Sequence, residues 1–182
     1  MMNNAQLLLI KAEIVADPVL NARPNTSDGA DAIATALNLA ASPDFFVWQT
    51  SMPTQSLFDA IVWANLTPSG APDGTATWTN LALACQGKQF NIQTMLTGRE
   101  SINPSKVNIR TGLQDALTQV PSGAAGASRS AGWTTVQIAM QRKATRAEKV
   151  LATGTGTAVS PALLGFEGQV SYQDVLDARS AV

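Results

Sequence analysis

The chain of 182 residues contains no histidine and one cysteine, Cys85. Without histidine it lacks the most common general base and the most common metal ligand, so Ser–His–Asp and Cys–His catalytic arrangements are excluded. A single cysteine can form neither an intrachain disulfide nor, in the absence of histidine, a structural zinc site. The sequence therefore predicts a protein that is not an enzyme, binds no cofactor or metal, and is made in a reducing compartment.

Charged residues are also scarce, at 14% of the chain, where globular proteins average about 25%. A surface with few charges loses little solvation when another chain covers it, because few charged groups must be desolvated. We therefore expect a subunit of an assembly rather than a freely diffusing monomer.

Long apolar runs are missing as well. Nothing approaches the roughly 20 apolar residues that a membrane-spanning helix needs. The first residues, Met1 to Asn4, lack the basic segment of a signal peptide, and the apolar stretch Leu7–Ile10 is too short for one. We expect a soluble protein made in the cytoplasm, without a membrane partner.

The few charges are unevenly distributed along the chain, whose net charge is −1. Residues 1–87 carry two basic and seven acidic groups, residues 88–149 carry nine basic and three acidic groups, and residues 150–182 carry one basic and three acidic groups. Such asymmetry can steer one face toward a partner of opposite sign. In a homo-oligomer, the acidic part of one copy can meet the basic part of the next.

Apolar residues recur at three- and four-residue spacings over most of the chain, which indicates helices. The predicted helices cover about 5–16, 28–41, 51–66, 75–97, 103–119 and 133–152, with a short one over 171–179. Asp17-Pro18 ends the first helix, and Asn103-Pro104 is a helix start, with Asn as N-cap and Pro at N1. Gly98 suits the position just after a helix, and Cys85 is a small core residue.

Three segments interrupt this pattern in the first 152 residues. Residues 67–74 are a turn-rich connector, and residues 121–132 are a low-complexity segment expected to form a mobile loop. The apolar run Phe45–Trp48 is either a short strand or an anchoring loop, and we favour the loop. The body, residues 1–152, is thus predicted to be a mainly α bundle of about five to six helices.

Residues 153–182 are predicted to form a separate arm. Thr153–Thr157 is a glycine-containing flexible link. Leu163–Phe166 and Gln169–Tyr172 are the candidate strands of a small β-hairpin. Ser171 and Asp174 resemble a capping box that opens the last short helix.

Four basic residues lie close together between positions 142 and 149. Lys143, Arg146 and Lys149 follow at three-residue steps on the predicted helix, and Arg142 adjoins them. This basic face can contact DNA phosphates or an acidic partner surface. Alternatively, it is a solvated helix face that Glu148 partly neutralises.

Six segments of the chain form a familiar combination: residues 46–50, 101–112, 143–149, 153–157, 165–168 and 170–175. Together they resemble small virion structural proteins from the late gene clusters of tailed bacteriophages and prophages. The similarity extends over roughly residues 5–180. Within that group, the helical body, glycine link and small C-terminal unit are similar to head–tail connectors, also called adaptors, although this chain is longer than many of them.

The resemblance implies a homo-oligomeric ring in the phage neck, assembled in the bacterial host cytoplasm. Its implied partners are other copies of the chain, the portal protein above, a neck or tail protein below, and packaged DNA through non-specific contact. Residues 153–182 would then dock on the portal through Leu163, Phe166, Tyr172 and Val175. The alternatives are another virion role, as a minor capsid, tail-completion or tail-terminator protein, and a DNA-binding accessory protein that uses residues 88–149.

Overall fold

The computed structural model describes residues 2–68, 77–122 and 127–182, and within these ranges the protein is mainly α. The α-helices are α1 (Asn4–Ala16), α2 (Pro18–Asn21), α3 (Ser27–Asn38), α4 (Thr54–Ala60), α5 (Trp78–Leu96), α6 (Val107–Leu117), α7 (Trp133–Ala139), α8 (Arg146–Leu151) and α9 (Tyr172–Ser180). The strands are β1 (Phe46–Trp48), β2 (Met52–Pro53), β3 (Ser101–Ile102), β4 (Val120–Pro121), β5 (Ser128–Arg129) and β6 (Gln141–Lys143). The mainly α class expected from the sequence is confirmed.

The chain divides into two compact units. Unit 1 consists of Met1–Trp48 together with Arg142–Val182, and unit 2 consists of Gln49–Gln141. The sequence-based division into residues 1–152 and 153–182 follows a different line, because residues 153–182 pack with the first 48 residues in unit 1.

Helix ends in unit 1 follow local hydrogen-bonding signals. Asn3 and Gln6 form a reciprocal capping box at the start of α1, and Asp17 ends that helix and caps α2. Ser171 and Asp174 form a second capping box at the start of α9, as the sequence predicts. These side chains satisfy backbone N–H groups that the first turn of a helix leaves without partners.

The core of unit 1 lies where α9 packs against α1 and α3, and where α8 packs against the same two helices. Its fully buried side chains come from both ends of the chain. They include Ile10, Ile14, Ile33, Leu37, Ala147 and Val175. Burying such aliphatic side chains is the main favourable contribution to folding.

The expected C-terminal β-hairpin is wrong. Leu163 pairs instead with Thr153, through backbone N–O distances of 2.8 and 2.9 Å. Ala162 is bonded to β1, because its N–H donates to Phe46 and its carbonyl accepts from Trp48. Leu163, at the start of one expected strand, is therefore already paired with Thr153, and Val170, in the other, exchanges hydrogen bonds with the Asn38 side chain.

The predicted helix over residues 133–152 is also wrong, because strand β6 interrupts it between α7 and α8. β6 pairs with β1 in a two-stranded sheet, so the run Phe45–Trp48, predicted as a loop, contains a strand. Helix α8 then starts afresh, with a capping box between Thr145 and Glu148. Pairing between distant strands has overridden the local helical periodicity.

Unit 2 is built around α5, the longest helix described, which packs against α6 and against a 3₁₀ turn at Trp63–Leu66. The buried side of α5 includes Cys85, which is 1% exposed, so its predicted core position is confirmed. Gly98 follows α5 with φ of +73°, the left-handed conformation expected just after a helix.

Two helix boundaries in unit 2 differ from those predicted. Helix α6 starts at Val107 rather than at Asn103, because the Asn103 side chain accepts a hydrogen bond from the Ser105 N–H and forms a turn. The helix predicted over 51–66 ends at Ala60. Strands β4 and β5 pair in antiparallel fashion at 120–121 and 128–129, across part of the segment 121–132 predicted to be a mobile loop. Residues 69–74 and 123–126, parts of the two predicted loops, and residues 75–76, the start of the helix predicted over 75–97, lie outside the described residues.

Candidate functional site

The four residues of the predicted basic face lie on two different elements of unit 1. Arg142 and Lys143 are on strand β6, whereas Arg146 and Lys149 are on helix α8. They therefore do not form the single helical stripe that the sequence suggests, and their neighbours decide how much charge each presents.

Arg142 is paired with a buried carboxylate. Its Nη1 and Nη2 atoms lie 2.7 Å from the two carboxylate oxygens of Glu148, which is 2% exposed, and Nη2 lies 3.4 Å from Glu167. Burial alone raises the pKa of Glu148, but the hydrogen bonds from Arg142 and from the Thr145 N–H outweigh it and hold that pKa below its ordinary value. The hydrogen bond with Glu148 in turn raises the pKa of Arg142. This bidentate arginine–carboxylate geometry is the strong form of an ion pair.

Arg146 joins α8 to α1. Its Nε lies 2.7 Å from Glu13 and its Nη2 lies 2.7 Å from Asp17, so one guanidinium holds two carboxylates spaced four residues apart. The hydrogen bond from Arg146 is the largest influence that lowers the pKa of Asp17, followed by backbone N–H groups of α2. Arg146 thus stabilises the packing of two helices inside unit 1.

The remaining two basic residues are held more loosely. The Lys143 ammonium lies 2.7 Å from Asp44, and both side chains are more than half exposed. Lys149 donates to the carbonyl of Ser42 at 3.4 Å. Three of the four predicted basic residues therefore have carboxylate partners within unit 1.

Folding also removes much of the charge asymmetry read along the chain. Residues 1–48, which hold five of the seven acidic groups of the first segment, belong to the same unit as the basic residues 142–149, so their charges largely cancel. Unit 1 carries seven basic and nine acidic residues, net −2, and unit 2 carries five basic and four acidic residues, net +1. Neither unit has the strongly positive total that is typical of nucleic-acid-binding domains.

The predicted docking residues of the C-terminal segment do not share one environment. Leu163 and Tyr172 are nearly half exposed. Phe166 packs against the core of unit 1, and Val175 is completely buried in it. Leu163 and Tyr172 are thus the members of this set that contribute most to the surface of unit 1.

Helix α1 carries an apolar surface that the sequence analysis missed. Between positions 5 and 16, every exposed residue is alanine, leucine or valine. This α1 outer face consists of Ala5, Leu8, Leu9, Ala12, Val15 and Ala16. The two charged residues of the helix are engaged with unit 1 itself, because Lys11 donates to the carbonyl of Ala181 at 2.7 Å and Glu13 binds Arg146. The usual arrangement of a surface helix, polar outside and apolar inside, is therefore absent from α1.

Helix α5 has a comparable surface in unit 2. Its α5 outer face consists of Leu83, Ala84, Gly87, Phe90, Asn91 and Thr94, all exposed and uncharged. Leu83 and Phe90 are each 66% exposed. The one charged residue of the helix, Lys88, donates to the backbone carbonyl of Asp115. Large exposed apolar residues on one helix face are a sign of an interaction surface.

Unit 2 also contains a cavity of about 940 Å³. Phe58 and Trp63 stack at one part of its lining, with their ring centroids 5.4 Å apart, and Ile92 and Leu96 of α5 contribute further apolar wall. No local sequence pattern indicates this cavity, because it depends on how α4, the 3₁₀ turn and α5 come together.

The described part of the chain contains no cluster of three or more cysteine or acidic side chains placed to hold a metal ion. Over the same residues, no helix combines the length and the hydropathy needed to cross a membrane. No protein-family model matches the chain, and comparison with curated proteins and with solved structures gives no significant match.

Proposed function

We propose that this protein is a non-catalytic structural subunit of a tailed-bacteriophage particle, of the head–tail connector type. The α1 outer face is the observation that carries the proposal. Apolar side chains on the solvent side of a helix are unfavourable in water and become favourable when another chain covers them. The two charged residues of α1 are bound within unit 1, which leaves this face free of groups that would resist desolvation.

In this proposal, copies of the chain form a ring in the phage neck, and each copy contributes a helical-bundle body. The portal protein lies on one side of the ring and a neck or tail protein on the other. Leu163 and Tyr172 are the surface residues of the C-terminal segment that we expect to contact the portal. Because Val175 is buried, residues 153–182 dock as part of unit 1 rather than as a detached arm.

The ion pairs of the basic residues bear on the DNA alternatives. A protein that binds DNA through phosphates presents lysine and arginine charges that are free to replace counterions. Arg142, Lys143 and Arg146 are each bound to carboxylates of the same unit. Contact with packaged DNA is therefore expected to be weak, and a DNA-binding accessory role is not favoured.

The proposal is tested by cryo-electron microscopy of intact particles in which this chain is located by its density. A ring between portal and tail is the expected result. Density on the shell or at another part of the tail would refute the connector role and favour a minor capsid, tail-completion or tail-terminator role. Absence of the chain from the particle would refute the structural proposal altogether.

A further inference from the structure

We propose that neighbouring copies of this protein associate head to tail, with the α1 outer face of one copy packed on the α5 outer face of the next. This inference rests on the proposed function, in which the chain forms a homo-oligomeric ring, and it names the contact between subunits. A contact in which one face of a copy meets a different face of the next copy is heterologous. Heterologous contacts are the kind that can close into rings.

The two faces match in the spacing of their large residues. Leu8 and Val15 are seven residues apart on α1, and Leu83 and Phe90 are seven residues apart on α5. Seven residues of α-helix correspond to about 10.5 Å along the axis. Large side chains repeated at this interval on both helices can interdigitate, as they do in coiled-coil packing.

The small residues match as well. Ala12 lies between Leu8 and Val15 on α1, and Gly87 lies between Leu83 and Phe90 on α5, so one row of each face has a small residue between two large ones. A large residue of either helix can therefore sit over the small residue of the other, which allows the two backbones to approach closely.

Gly87 is the second, independent observation. Glycine destabilises a helix interior relative to alanine, so a glycine in mid-helix calls for a reason. At Gly87 an added Cβ would meet nothing within 4 Å, and close packing inside the chain therefore does not account for it. A side chain from another molecule, seated over Gly87, does account for it.

Charge favours a second copy of this chain as the occupant. Both faces consist of uncharged residues, so bringing them together buries no unpaired charge and opposes no like charges. The helix charges are directed elsewhere, Lys11 and Lys88 to backbone carbonyls of their own units and Glu13 to Arg146. The α1 and α5 faces are thus both uncharged, and they share one pattern of large and small residues.

The test uses two variants of the full chain, Val15→Glu and Phe90→Lys, studied singly and as a mixture by sedimentation velocity up to about 1 mM protein. The wild type is expected to form oligomers as its concentration rises. Each variant alone places an unpaired charge in every contact and should weaken association at least about tenfold. In the mixture, the Glu-bearing α1 of one variant can meet the Lys-bearing α5 of the other, while the unchanged faces also meet, so association should recover.

Matched controls separate this contact from general surface effects. Val159→Glu in unit 1 and Ile138→Lys in unit 2 change residues that are 84% and 63% exposed and lie on neither face, compared with 59% for Val15 and 66% for Phe90. Both controls should associate like the wild type. Gly87→Leu should preserve the helix, because the space above it is open, and should weaken association by filling the groove.

Four other results would overturn the inference. Association that survives in both variants would assign it to other surfaces and leave the proposed ring intact. If association is lost in Val15→Glu but kept in Phe90→Lys, and does not recover in the mixture, the result would indicate that α1 of one copy pairs with α1 of another. Loss in the control variants to the same degree would remove the specificity of the two faces. A wild type that stays monomeric at every concentration until portal protein is added would assign the α1 outer face to the portal, and the reconstruction of the particle would then test the ring separately.

Discussion

The buried ion pair between Arg142 and Glu148 allows a quantitative prediction for the substitution Arg142→Ala. The substitution leaves the Glu148 carboxylate inside unit 1 without its guanidinium partner. Removing one partner of a fully buried pair costs about 3–5 kcal/mol. Because the Arg142 side chain is 32% exposed and Glu148 keeps hydrogen bonds from the backbone of Thr145 and Gly168, we expect a smaller loss of about 2–3 kcal/mol.

The assay is urea unfolding at pH 7 followed by far-ultraviolet circular dichroism, with each transition fitted separately because the two units can unfold independently. A loss of this size should lower the midpoint of the unit 1 transition by about 1–2 M urea. The matched control is Lys143→Ala, whose pair with Asp44 is exposed and should be worth less than about 1 kcal/mol.

A second substitution tests the physical cause. Adding Glu148→Gln to Arg142→Ala removes the unpaired charge, while the amide oxygen can still accept from the Thr145 N–H. If the uncompensated carboxylate causes the loss, this double variant should be at least about 1 kcal/mol more stable than Arg142→Ala alone. Equal losses in Arg142→Ala and Lys143→Ala, or no recovery in the double variant, would refute the reasoning.

Three further predictions concern acid, a thiol and a glycine. The folded-state pKa of Glu148 lies below its ordinary value, so the unfolded chain binds the proton more readily and stability should fall as pH drops below about 4.3; stability that rose in acid would contradict this assignment. Cys85 is 1% exposed and burial raises the pKa of its thiol, so a thiol reagent should modify it in urea and react at most slowly with the native protein. Gly156 has φ of +64°, and an added Cβ would overlap the Phe45 ring, so Gly156→Ala should destabilise unit 1 by more than about 1 kcal/mol. The control Gly87→Ala, in open helix, should stabilise by about 0.5–1 kcal/mol in thermal unfolding, and equal effects at the two glycines would refute the steric argument.

Signals that act over a few residues predict the structure well. The end of α1 at Asp17-Pro18, the glycine after α5 and the capping box before α9 each depend on neighbouring residues, and all three are found where the sequence predicts them. Proline and glycine restrict the backbone directly, and capping side chains satisfy N–H groups of the adjacent turn.

Features that depend on distant partners could not be predicted in the same way. Strand β6 forms by pairing with β1, which lies almost a hundred residues earlier in the chain, and this pairing divides an otherwise helical pattern. Arg146 likewise binds Glu13 and Asp17, which are more than 120 residues away in the sequence. Their four-residue spacing was visible in the sequence, but nothing local indicates which cation they bind.

The α1 outer face, in contrast, does have a local signal in the sequence. Leu7, Ile10 and Ile14 indicate an apolar core side, but Leu8, Leu9, Ala12 and Val15, which point elsewhere on the helix, are apolar too, and only Lys11 and Glu13 are charged. A helix with apolar residues on its solvent side as well as on its core side is normally covered on both. The apolar residues that face away from the core therefore indicate a second surface to be covered.

The interleaved composition of unit 1 has a consequence for synthesis on the ribosome. Residues 1–48 emerge first, but α9, which packs against α1 and α3, is made only after all of unit 2. At about 5–20 residues per second, the early helices wait several seconds or more with their core side uncovered, while unit 2 can fold as soon as it has emerged. Nascent chains of this protein are thus expected to depend on chaperones during that interval. Unit 2 is expected to finish folding before unit 1, although synthesis of unit 1 begins first.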